Sequence, residues 1–140
     1  PHLELMPWTD ACNLEQALRI VANADRENAA GLVDAFHFDR SGSRLEDLAS
    51  VAPARLRYAQ LCDVAGPRPA DMAEILRQAR NERRLPGEGD CDLHGLLRSL
   101  PANIPLSLEI PTVKLLEQGV SGLQRAQRAL DRTRELLVQL

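Results

Sequence analysis

Residues 29–38 read AAGLVDAFHF, an apolar run that reaches a single acid, Asp34. The run is too continuously apolar for a strand with one wet face, and suits a parallel strand covered on both sides. Three other stretches follow the same plan: HLELMP at 2–7 with Glu4, LRYAQLCDV at 56–64 with Gln60, and IPLSLEI at 104–110 with Glu109. Each buries aliphatic side chains and then presents an oxygen-bearing residue. Three carboxylates and an amide gathered at strand ends make a hard oxygen site suited to Mg²⁺ or Mn²⁺. Strand-end ligands of this kind are the building plan of a parallel β/α barrel active site.

Helical signals lie between the strands. After Pro7, Asp10 and Asn13 offer capping oxygens to a helix carrying Leu14, Ala17, Leu18 and Val21. Ser43 with Glu46 three residues later matches a capping box for a short helix that Pro53 closes. The segment 71–84, DMAEILRQARNERR, is helical in composition, and PGEGD at 86–90 breaks it. Asp90 or Asp92 then starts a helix through Leu93, Leu96, Leu97 and Leu100. Beyond Pro111 a long amphipathic stretch carries Leu115, Leu116, Leu123, Ala126, Leu130 and Leu137, all expected to pack. Gly119 and Gly122 are placed to bend or break it.

Such long connections exclude hairpins and require parallel strands with right-handed crossovers. The expected organisation is one α/β domain over residues 1–140 in four βα units, about 1–28, 29–55, 56–102 and 103–140. A full barrel needs about 250 residues, so the chain is expected to be half of one and a fragment of a longer polypeptide. An amino-terminal half-barrel or a homo-oligomeric partner is then expected to cover the open edges.

Composition removes several classes of function. The 17 basic and 20 acidic residues give a net charge of −3, with the cations scattered rather than gathered into a nucleic-acid stripe. No apolar run approaches the roughly 20 residues needed to span a bilayer. Cys12, Cys62 and Cys91 are odd in number with no CxxC spacing, which points to reduced thiols in the cytoplasm. Alternation along the strand turns Cys62 the same way as Gln60. Asp63 is expected to support a neighbouring ligand. Trp8, just after the first strand, is placed to form a substrate wall.

The ordered set LELMPW (3–8), GLVDAFHFDRSG (31–42), YAQLCD (58–63), RRLPGEGDCDL (83–93) and LSLEI (106–110) resembles the second half of the xylose isomerase-like TIM barrels. These are sugar-phosphate isomerase and epimerase relatives that share a fold with endonuclease IV (AP endonuclease family 2). The resemblance covers essentially the whole chain, as strands five to eight of the barrel. It implies one divalent ion, Mn²⁺ or Mg²⁺ with Co²⁺ or Zn²⁺ also compatible, held by Glu4, Asp34, Gln60 and Glu109. It implies further that Glu4 and Glu109 exchange protons, and that His37 and Arg84 (less so Arg83) face the substrate. The substrate is then a small molecule: a sugar, keto-sugar or hydroxy-keto acid. The implied reaction moves a proton through a metal-stabilised enediolate, giving isomerisation or epimerisation. A 3-dehydroshikimate dehydratase-like lyase is the alternative, and an inactive half-barrel serving only assembly is a further one. An endonuclease IV-like activity needs many more histidines than the three present and a basic DNA face.

Overall fold

The computed structural model describes residues 1–140. Four strands form one parallel sheet in chain order: β1 (His2–Glu4), β2 (Ala30–Asp34), β3 (Leu56–Leu61) and β4 (Leu106–Leu108). Asp34 stands level with Gln60 across the β2–β3 pair, and Glu4 stands level with Leu32. This is the parallel β/α half-barrel expected from the alternation of signals.

Between β1 and β2 lies α1 (Leu14–Asn23), capped by Asn13, whose side chain accepts the Gln16 N–H at 2.9 Å. A cap of this kind contributes about 1 kcal/mol. After β2 come α2 (Ala35–Ser41), α3 (Leu45–Ala49) and a 3₁₀ turn at Pro53–Arg55. The β3–β4 connection holds α4 (Met72–Asn81) and α5 (Leu93–Ser99), capped by Asp71 and Asp92. The chain closes with α6 (Val113–Glu117) and α7 (Gly122–Val138), separated where Gly119 takes φ +76°.

Three local expectations change. The run 29–38 is not strand throughout: β2 stops at Asp34, which caps α2, so Phe36 and His37 are helical. Ser43 does not cap α3, whose N-cap is Arg44 with no capping bond from its side chain. Its hydroxyl instead accepts the Leu14 N–H at 3.0 Å, tying α3's approach to the start of α1. On α7 the buried face is Ala129, Thr133 and Leu136, while Leu123, Leu130 and Leu137 stay exposed.

The core lies between sheet and helices and joins Leu5, Phe36, Leu48, Ala59, Ile75 and Leu96. Aliphatic packing supports it almost alone, consistent with only 3% aromatic residues.

Candidate metal and proton-transfer site

The carboxyl ends of the strands bring the polar residues together. Glu4 ends β1 with its side chain 29% exposed, and Asp34 ends β2 fully buried. Because Asp34 is also the N-cap of α2, its Oδ1 accepts the His37 N–H at 3.0 Å. That capping bond places His37 in the first helical turn, over the same strand end. The His37 Nε2 lies 3.5 Å from Glu4 Oε1 and 3.9 Å from Asp34 Oδ1. One donor atom each from Glu4, Asp34 and His37 falls within 4.8 Å of the others. Trp8 sets its ring edge-on to His37 at 5.1 Å, so it walls this cluster.

Across from the triad, the Gln60 amide donates to Glu109 Oε2. Its own carbonyl oxygen is buried and unpartnered. Arg83 links the two groups. Its Nη1 donates to Asp34 Oδ2 at 2.8 Å and to the Glu109 carbonyl at 3.1 Å, and its Nε donates to the Ala79 carbonyl at 3.1 Å. Its Nη2 lies 3.2 Å from His37 Nε2 and 3.8 Å from Glu109 Oε1.

Of the two neighbouring arginines, the structure brings Arg83 and not Arg84 to these residues. Arg84 is exposed, and its guanidinium donates outward to the Glu88 carbonyl at 3.0 Å. Arg83 is the one that enters the cluster. Cys62 is fully buried with Sγ 3.9 Å from Arg83 Nη1, and burial raises its thiol well above the usual range. Such a thiol is inert.

Burial sets the protonation states here. It pushes the Glu4 carboxyl up to about 7, helped by the charges of Asp34 and Glu109 and opposed by Arg83. Burial also raises Asp34, against the pull of Arg83 and the His37 amide. Burial and the adjacent Arg83 hold His37 down at about 4, so its ring is neutral at pH 7. A guanidinium only donates, so toward Arg83 the His37 Nε2 can serve only as an acceptor. Nδ1 is buried and has no partner.

The donor set fits a divalent ion on its chemistry. It offers two carboxylates and a neutral imidazole within one ion's reach, with a third carboxylate and an orphaned amide oxygen opposite. A capping argument would have placed His37 from sequence, because Asp-x-x-His at a strand end puts the histidine in the first helical turn. Nothing local separates Arg83 from Arg84.

Comparison with known proteins agrees with this architecture. No helix is long and apolar enough to cross a membrane. A family model described as "Xylose isomerase-like TIM barrel" matches residues 1–136. A 3-dehydroshikimate dehydratase from Pseudomonas aeruginosa is 28% identical over 138 residues, which are 96% of this chain and 20% of that protein. The crystal structure of the IOLI protein with a bound zinc atom superposes with a TM-score of 0.81 at 23% identity, covering 99% of this chain and 49% of that one. A xylose isomerase domain protein from Alicyclobacillus acidocaldarius gives a TM-score of 0.54 at 24% identity, over 74% of this chain and 42% of that one. The chain thus spans a fifth of the curated relative and about half of the solved structures just named. With its parallel strands, strand-end carboxylates and a match over residues 1–136, the chain belongs to the xylose isomerase-like TIM barrel family.

Proposed function

We propose that this chain carries the metal and proton-transfer site of a sugar or sugar-phosphate isomerase or epimerase. One observation carries the proposal: Glu4, Asp34 and His37 present donor atoms within 4.8 Å at the carboxyl ends of parallel strands. Glu4, Asp34, Gln60 and Glu109 would hold one divalent ion, Mn²⁺ or Mg²⁺, with His37 beside it. Such an ion polarises a carbonyl and its neighbouring hydroxyl, making the C–H between them acidic.

The residues divide the remaining work. Glu4, at the end of β1 and partly open to solvent beside His37, is placed to accept or return a carbon-bound proton. Glu109 is its counterpart on the other side of the site. Neutral His37 and the cationic Arg83 hold substrate oxygens, and Trp8 closes one wall. Return of the proton to the adjacent carbon, with the hydroxyl proton passing to the former carbonyl oxygen, isomerises the substrate; return to the opposite face of the same carbon epimerises it.

The outer edges of β1 and β4 have no strand beside them in this chain. A second set of β/α units, an amino-terminal half-barrel or a further copy of the chain, is proposed to close the site. Three unpaired cysteines suit a reducing compartment such as the cytoplasm.

A second reading is favoured by the 28% identical 3-dehydroshikimate dehydratase. There the same proton abstraction is followed by loss of a β-hydroxyl. The test is incubation of the full-length protein and Mn²⁺ with a panel of ketoses, ketose phosphates and 3-dehydroshikimate. Interconversion of ketoses supports the first reading, and protocatechuate formation replaces it with the second. Failure of Mn²⁺, Mg²⁺, Co²⁺ and Zn²⁺ to bind, with no effect of Glu109→Gln, removes both and leaves an assembly role.

A further inference from the structure

We propose that Asp63 is a positioning residue, whose buried carboxylate gathers the Leu85–Cys91 loop so that Arg83, and not Arg84, enters the site. Asp63 is 1% exposed and directs both oxygens at backbone. Its Oδ1 accepts the N–H groups of Val64 at 2.8 Å and Cys91 at 3.1 Å. Its Oδ2 accepts those of Gly87 and Gly89, each at 3.0 Å. Four N–H donors on one carboxylate use its acceptor capacity. Asp63 therefore makes no hydrogen bond to a metal-site side chain, contrary to its expected role as a ligand's partner.

The same residue fixes the chain entering the loop. The Asp63 N–H donates to the Arg84 carbonyl at 2.9 Å, and the Arg84 N–H donates to the Asp63 carbonyl at 2.8 Å. Residue 84 is thereby locked in an antiparallel bridge. Neighbouring residues in extended chain point to opposite sides. With Arg84 directed to solvent, Arg83 is directed inward to Asp34 and His37. Gly89 allows the approach, because a methyl there would overlap the Val64 carbonyl and the Asp63 carboxylate.

The consequence for chemistry rests on the substrate-holding role proposed for Arg83. The geometry itself is testable without turnover. Full-length protein labelled with ¹⁵N at arginine, glycine and cysteine reports hydrogen exchange at Arg83 Nε–H and at the amides of Gly87, Gly89 and Cys91. In the wild type the Arg83 Nε–H is expected to share the loop's opening, with protection within about tenfold of Gly89 and Cys91. Exchange of Arg83 Nε–H far faster than these amides overturns the proposal, whatever the variants do.

Asp63→Asn keeps one acceptor oxygen but turns an NH₂ toward two N–H donors. It is expected to cost Arg83 Nε–H at least about tenfold in protection. Leu96→Ala, a core cavity beneath α5, is expected to lower global stability while leaving the Arg83 signal as in wild type. Equal loss in both variants means Asp63 is merely structural and refutes a positioning role. Mn²⁺ titration of the wild type runs alongside. Absence of metal binding would sink the proposed function and leave the Arg83 exchange to decide on Asp63.

Discussion

Replacing Arg83 by methionine should cost far more than a lost surface charge. The Arg83 side chain is 3% exposed and makes its shortest bond, 2.8 Å, to a carboxylate with no exposure at all. It also satisfies the Ala79 and Glu109 carbonyls and stands 5.2 Å from the Phe36 ring centroid. A methionine retains most of the aliphatic packing and supplies none of these donors. Removing one partner of a buried ion pair costs about 3–5 kcal/mol, because the remaining charge is stranded. Asp34→Asn should be destabilising for the same reason, leaving Arg83 uncompensated. The double variant strands neither charge, so its cost should fall below the sum of the single costs by about 2–3 kcal/mol. The assay is urea unfolding of the full-length metal-free protein at pH 8, followed through the whole thermodynamic cycle. A cost for Arg83→Met under about 1 kcal/mol, or additivity within about 0.5 kcal/mol, would refute the pairing as the dominant interaction.

Glu4 should make metal-free stability fall as pH rises. Its carboxyl is raised from 4.5 to about 7, so between those values the folded protein holds a proton that the unfolded chain has released. Glu4→Gln removes that penalty. It should stabilise by on the order of 2 kcal/mol at pH 8, allowing for water reaching the carboxylate, and by little at pH 4. Thermal melts across pH check the sign, and a benefit confined to low pH contradicts it. Arg40→Met should cost about 3 kcal/mol in urea unfolding: Arg40 is 1% exposed and donates to the Ala65 and Gly66 carbonyls and to Gln78. Gly119→Ala should cost only about 1 kcal/mol. Its φ is +76° but an added methyl meets nothing within 4 Å, so a much larger loss of melting temperature would mean the α6–α7 break bears on packing.

What could be read along the chain was whatever one segment decides for itself. Continuous apolar runs ending in Glu4, Asp34, Gln60 and Glu109, with long connections between, determined parallel β/α units and a polar strand-end cluster. Asn13 and Asp92 cap helices because a capping oxygen answers only to the next turn of backbone. Tertiary structure decided what depended on distant partners. β2 ends at Asp34 because that carboxylate caps α2 and meets Arg83 from 49 residues away, and this carries His37 to Glu4. Ser43 serves α1 because the Leu14 N–H lies within its reach. Leu123, Leu130 and Leu137 have helical spacing fit for a core, yet they stay exposed and outside it. Arg83 and Arg84 are chemically identical neighbours in sequence. The main-chain bridge between Asp63 and Arg84, with the loop that the Asp63 carboxylate gathers, joins segments some twenty residues apart and turns one inward and the other to solvent.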